Sequence, residues 1–142
     1  MISRDLASAL RDAGLAWAPV KGDWFVIPDK GLDDLLFVLS DMVIETRTMA
    51  LGRKMLAFNG STEWAIDTLA ASEALWLPRE DQLREVLGEA FMRLEHLPGE
   101  TPGYAVVMLL GDREEHYVDV DVEAAYARAV LALLTYSPDP TA

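Results

Sequence analysis

The fold of this chain is decided by residues 91–136, FMRLEHLPGETPGYAVVMLLGDREEHYVDVDVEAAYARAVLALLTY. Its first three segments, 91–97, 104–110 and 115–121, are either apolar or alternate apolar with polar residues, and turn-forming pairs of glycine, proline and aspartate separate them. This pattern predicts consecutive antiparallel strands. The last segment, 122–136, follows an aspartate that can cap a helix, and its apolar residues recur at helical spacing. We therefore expect three strands and a closing helix.

The rest of the sequence predicts three further helices and a run of about five strands. Ser3 is placed to cap the first helix, and Pro78 can open the third because the first turn of a helix needs no N–H there. The further helices are expected over 3–13, over 62–72, and from Pro78 to Gly88. The strands are expected as a hairpin of 15–18 with 24–27, a bent strand 35–48 with a bulge at Ser40-Asp41, and its partner 54–58.

Strands grouped between helices are typical of the α+β class. The prediction is therefore an antiparallel sheet of about 5 + 3 strands with four helices layered on it. No repeat or long linker divides the sequence, so residues 1–142 are expected to form a single α+β domain.

Charge and composition exclude several classes of function. The chain carries a net charge of −12, most of it after residue 72, so nucleic acid and anionic membranes are poor partners and a basic protein is a better one. The absence of cysteine excludes disulfides, thiolate metal sites and a cysteine nucleophile. No apolar run is long enough to span a bilayer or to serve as a signal peptide, so a cytoplasmic protein is expected.

The closing helix suggests a contact between protein chains. Leu131 points away from the face that its other apolar residues define, and Leu134 lies well off that face. A helix that is apolar on most sides must be covered on more than one side, by its own domain or by another subunit. We favour the second and expect a homodimer through 122–136. The candidate interface residues are Leu131, Leu134, Arg128 and Trp76, tryptophan being a favoured anchor in protein interfaces.

The alternative to an interaction module is a small-ligand binder or hydrolase. His96 and His116 both fall on predicted strands in phase with apolar neighbours, so paired strands would bring the two imidazoles together beside a pocket lined by tryptophan. However, Asp119 and Asp121 project from the opposite face to His116, which weakens an acid–base site. No phosphate-binding loop, zinc motif or nucleophile elbow is present. We therefore expect no catalytic residue, cofactor or metal.

Two segments, AFNGSTEWAID (57–67) and ALWLPREDQLREVLG (74–88), resemble a family of small, acidic, uncharacterised bacterial proteins, largely actinobacterial, some of which are labelled pilus-assembly proteins. The resemblance implies a similar order of helices and strands but no activity, cofactor or catalytic residue. The pilus label would imply an ATPase phosphate loop, which no segment provides. In fold order and charge the chain is also similar to dimeric secretion chaperones and small immunity proteins. The leading hypothesis is thus a non-catalytic, acidic, chaperone-like or adaptor-like interaction module. A DNA-mimic inhibitor is a further alternative.

Overall fold

A computed structural model describes the residues 1–28, 32–39, 43–48, 54–58, 68–70 and 74–137. Within these ranges the chain has three α-helices, one short 3₁₀ turn and nine strands, so the predicted α+β class is confirmed. The chain forms two compact units, one of residues 1–15 and 78–142 and one of residues 16–77. That the whole chain is a single domain stays a prediction.

In chain order the elements are α1 (Arg4–Asp12), β1 (Trp24–Ile27), β2 (Leu32–Val38), β3 (Val43–Thr48), β4 (Lys54–Phe58), β5 (Thr68–Ala70), β6 (Leu75–Leu77), α2 (Glu80–Leu87), the 3₁₀ turn Gly88–Ala90, β7 (Phe91–Leu97), β8 (Gly103–Leu110), β9 (Arg113–Asp119) and α3 (Val122–Thr135). Each described sheet has three antiparallel strands, in the orders β2-β1-β6, β3-β4-β5 and β7-β8-β9. The predicted arrangement of 5 + 3 strands with four helices therefore differs from the described one in strand grouping and in helix number.

The helix starts follow the local signals in the sequence. The Ser3 side chain accepts a hydrogen bond from the backbone N–H of Leu6 at 3.1 Å, and α1 begins at Arg4, directly after Ser3. Asp121 caps α3 in the same way by accepting from the N–H of Ala124 at 3.2 Å. Each cap satisfies a backbone donor that the first turn of a helix leaves without a partner.

The first unit places its helices on the sheet β7-β8-β9. Helix α3 packs against β8 and β9, and α1 and α2 pack against α3. The ring of Tyr126 in α3 lies 5.7 Å from the ring of Phe91 in β7, measured between centroids. Tyr126, Val106 and Met108 are almost completely buried. This helix layer and the central strand β8 form the core of the unit.

The second unit corrects two of the predicted strands. Residues 15–18 form no strand, because both edges of β1 are already paired, with β2 on one side and β6 on the other. The predicted bent strand 35–48 is two strands, β2 and β3, which belong to different sheets. The predicted bulge at Ser40-Asp41 lies outside the described residues.

The predicted helix over 62–72 is wrong for residues Thr68–Ala70. These residues form β5 and pair with β4 through Leu56↔Leu69 and its neighbours. Strand pairing has overridden a weak local helix preference here. The remaining residues of that predicted helix lie outside the described residues.

Candidate interaction surface

In strand β9 the valine side chains are exposed and the polar side chains between them are half-buried, which is the reverse of the usual arrangement in a sheet packed on a core. Val118 is 53% exposed, and Val120, just beyond the strand, is 64% exposed. The alternate residues Glu115, Tyr117 and Asp119 are half-buried. Alternation alone would place such valines toward the core, and the structure places them outward. The apolar side of this strand faces outward.

Asp119 explains this reversal. One carboxylate oxygen accepts a hydrogen bond from the N–H of Asp121 at 3.0 Å, and the other accepts from Nε of Arg128 at 2.9 Å. These bonds lower the pKa of Asp119, chiefly through the N–H of Asp121 and, against partial burial, through Arg128. Because side chains alternate along a strand, turning Asp119 toward α3 turns Val118 and Val120 away from it.

The same outward face carries an ion-pair network that crosses the sheet. Nε of Arg93 in β7 donates to Glu95 at 2.6 Å, and its Nη1 donates to Glu114 in β9 at 3.3 Å. Both carboxylates raise the pKa of Arg93. The Arg93 side chain therefore crosses the central strand β8 near Val107. Val107 is the register partner of Arg93 and is fully buried. On the same face Leu109 is 44% exposed.

The two histidines do not form a joint site. Strands β7 and β9 flank β8 and do not pair with each other. His96 is opposite Tyr104, while His116 is opposite Val107, which is three residues further along β8. Residues directly opposite each other on paired strands have their side chains on the same face of the sheet. Tyr104 and Val107 are three residues apart on β8 and so lie on opposite faces, and their partners His96 and His116 do too. His116 instead lies 4.0 Å from a carboxylate oxygen of Glu114.

Two of the four tryptophans meet in the second unit. The rings of Trp17 and Trp76 stack with centroids 6.4 Å apart and planes 12° apart. Trp24 precedes Phe25, the register partner of Trp76, so Trp24 lies on the other face of that sheet. Trp64 lies outside the described residues. The predicted tryptophan-lined pocket stays a prediction, and the part of it that is described is a packed stack.

Asp23, which sequence analysis did not single out, anchors this stack. Its carboxylate is fully buried and accepts from Nε1 of Trp17 at 2.9 Å and from the N–H of Val20 at 3.0 Å. Gly22, with a φ of 93°, allows the turn that closes between Val20 and Asp23. The Lys-Gly-Asp turn was visible in the sequence, but nothing in it indicated that the aspartate would be buried.

The interface residues predicted on the closing helix have neighbours in their own chain. Helix α3 contacts β8, β9, α1 and α2, and these contacts account for most of its apolar circumference. Leu131 and Leu134 are half-buried, and Arg128 is exposed but paired with Asp119. Trp76 is half-buried in its stack, and its indole N–H finds no acceptor among the described residues. The predicted homodimer through these residues stays a prediction.

A cavity of about 490 Å³ lies beside the end of β9 in the first unit. It is bordered by the start of α1, the end of β9 and the start of α3, and its lining consists of Met1, Ser3, Asp5, Leu6, Ala9, Asp119, Asp121, Ala124 and Arg128. Three aspartates face Arg128 and the N-terminal ammonium of Met1, which lies 4.0 Å from Asp121, so the lining keeps an excess of one negative charge. Leu6 and the alanines give the cavity apolar walls. Across the described residues, no three His, Asp or Glu side chains converge as metal ligands.

Comparisons with protein-family models, with curated proteins and with solved structures give no match to this chain. The resemblance noted from the two sequence segments therefore stays a prediction. None of the helices in the described ranges has both the length and the apolar character needed to cross a membrane.

Proposed function

We propose that this chain is a non-catalytic protein-interaction module that binds a basic protein through the outward face of β9 and its surroundings. The observation that carries the proposal is the exposure of Val118 and Val120 at the end of a strand where Asp119, the acidic residue between them, is half-buried. Burying one valine fully is worth about 1.5–3 kcal/mol, so two exposed valines offer substantial stabilisation to a partner that covers them.

Charge supports a basic partner. The chain carries −12 overall, and an electrostatic field of that sign steers positively charged proteins toward it. The ligand-binding alternative has less support, because its two histidines lie on opposite faces of their sheet. The features that remain are an apolar surface and a negative field, which together suit binding to another polypeptide.

The test compares what the wild type and two variants capture from the cells that make the protein. The first variant replaces Val118 and Val120 with serine. The second, a matched control, is Val20→Ser, which changes a valine 52% exposed in the second unit. At low salt we expect the wild type and the control to retain the same partner. We expect the double variant to retain it about tenfold more weakly, since loss of even part of two buried valines has that effect.

Two results would overturn the proposal. In the first, all three proteins recover the same set of proteins in equal amounts. In the second, the wild type recovers no partner at low salt, where electrostatic attraction is strongest. Circular dichroism of the variants must match that of the wild type, so that loss of binding is not loss of folding.

A further inference from the structure

The two outer strands of the sheet β7-β8-β9 differ in how open their edges are. Strand β7 has a register shift between Phe91 and Arg93, and Pro98 follows its end. Bulges and prolines are common means of preventing an edge from pairing with another strand. Strand β9 runs in unbroken register with β8 from Arg113 to Asp119 and pairs with no other strand in the part of the chain that the structure describes. Its second edge is therefore regular and, among the described strands, unpaired.

The side chains along β9 divide into a charged half and an apolar half. Glu114 and Glu115 are adjacent, so they present carboxylates on both faces of the strand. Their side chains are 44% and 36% exposed. At the other end, Val118 and Val120 are exposed. Arg113, at the end that carries Glu114 and Glu115, is 83% exposed and lies 3.5 Å from Glu115, and Glu114 accepts from Arg93, so that end carries mixed charge. The net charge of −12 over the whole chain is what favours a basic occupant. A strand lying beside β9 would meet charged side chains at one end and apolar surface at the other.

The cavity beside the end of β9 adds a second contact at the apolar end. Asp119, the last residue of β9, lines it together with Asp5 and Leu6 of α1. An aliphatic side chain from an added strand has room there to lie against Leu6. Asp119 is already paired with Arg128, and Asp121 lies 4.0 Å from the Met1 ammonium, so the cavity adds apolar contact to the apolar end of the strand.

Resting on the proposed function, we propose that the open edge of β9 receives an extended segment of the partner protein, which adds a fourth strand to the sheet. The occupant is a basic segment, with lysine or arginine beside Glu114 and Glu115 and apolar residues beside Val118. Main-chain hydrogen bonds provide affinity in this mode of binding, and the alternate side chains provide specificity. A second copy of the chain is a worse occupant because each copy carries −12.

The probe is a synthetic extended peptide with lysines in one half and valines alternating with threonines in the other, titrated into the full chain. A matched peptide replaces lysine with glutamate. A third peptide keeps the lysines but carries N-methyl groups on alternate backbone nitrogens, which removes the hydrogen bonds to one side. We expect the first peptide to bind about tenfold or more tightly than either control, with affinity that falls as salt rises. Hydrogen exchange of β9 amides should slow in its presence while that of β7 amides does not.

Two variants with the same change of charge locate the site. Val118→Lys alters the open edge, and Leu94→Lys alters the opposite edge strand, where Leu94 is also exposed. We expect Val118→Lys to weaken peptide binding about tenfold, since the apolar half of the peptide would cover an unpaired ammonium group, and Leu94→Lys to change binding less than about twofold.

Equal effects of the two variants, or equal binding of the N-methylated peptide, would overturn strand addition. A chain mass that doubles in light scattering, and that Val118→Lys but not Leu131→Glu returns to that of one chain, would show a second copy at this edge, and that result would also overturn it. If cellular capture still depends on Val118 and Val120 while the peptide does not bind, strand addition fails and the proposed function stands. If capture does not depend on these valines, the proposed function fails as well.

Discussion

Asp119 is expected to set the direction in which β9 faces, and replacing it tests that reasoning. Asp119→Ala removes the acceptor for the N–H of Asp121 and the partner of Arg128. A hydrogen bond to a charged group is worth about 1.5–3 kcal/mol, but Asp119 keeps 18% of its side chain exposed and water replaces part of the bond, so we take about 1 kcal/mol. The ion pair adds about 0.5 kcal/mol, because the Arg128 side chain is 53% exposed.

Asp119→Ala should therefore lower the free energy of unfolding by about 1.5 kcal/mol, which corresponds to a fall of about 5 °C in Tm for a chain of this size. Urea denaturation of Asp119→Ala, Arg128→Ala and the double variant separates the two contributions, and the pairwise coupling should be about 0.5 kcal/mol. Asp119→Asn, which keeps one oxygen as an acceptor, should lose less than Asp119→Ala. If Arg128→Ala is as destabilising as Asp119→Ala, the ion pair and not the N–H of Asp121 holds the carboxylate, and the reasoning is refuted.

The pH dependence provides a second check on the same residue. The native pKa of Asp119 is lowered from its ordinary value of 3.8, first by the N–H of Asp121. A lowered native pKa means that the carboxylate stabilises the fold above pH 3.8 and that this stabilisation is lost as the pH falls through the lower native value. The difference in stability between wild type and Asp119→Asn should therefore shrink on acidification below that pH. A difference that stays constant would show that the charge of Asp119 has no part in folding.

The remaining predictions concern other parts of the chain. Asp23→Ala leaves the indole N–H of Trp17 without its buried acceptor and should cost about 2–3 kcal/mol in urea denaturation; a cost below about 0.5 kcal/mol would contradict the anchoring role. Gly103→Ala places a Cβ 3.0 Å from the backbone oxygen of Asp119 and should lower Tm by several degrees; an unchanged Tm would contradict this close approach. Leu131→Glu should convert a dimer to a monomer in light scattering; a wild type that is already monomeric contradicts the predicted homodimer.

Predictions from the sequence succeeded where a single residue decides the structure and failed where the rest of the fold decides it. Ser3 and Asp121 were identified as caps because the bond each makes spans only three residues. The strand at Thr68–Ala70 forms by pairing with β4, and no local sequence pattern predicts that pairing. The same limit applied to residues 15–18, a short apolar run that resembles a strand, because both edges of β1 are paired with other strands.

The candidate site shows this limit most clearly. Alternation along 115–121 correctly predicted that the valines and the carboxylates lie on opposite faces, but it does not say which face is inside. By default, apolar residues are expected inward. The choice was made instead by the bonds from Asp119 to Asp121 and Arg128, which require α3 to be in place. A contact between a strand and a later helix depends on the tertiary structure, so the exposed surface could not be predicted from the sequence alone.

The ion pairs within the first unit also determine the electrostatic field that acts on an approaching partner. Several arginines there already contact a carboxylate, namely Arg11, Arg79, Arg93, Arg113 and Arg128. Because these cations are held close to acids, they neutralise charge locally and leave the exposed Glu85, Glu89, Glu100 and Asp112 to determine the field at a distance. A basic segment approaching β9 is therefore attracted before it contacts the strand. Raising salt should slow its association far more than it speeds its dissociation, since the valines that hold the bound segment are insensitive to screening.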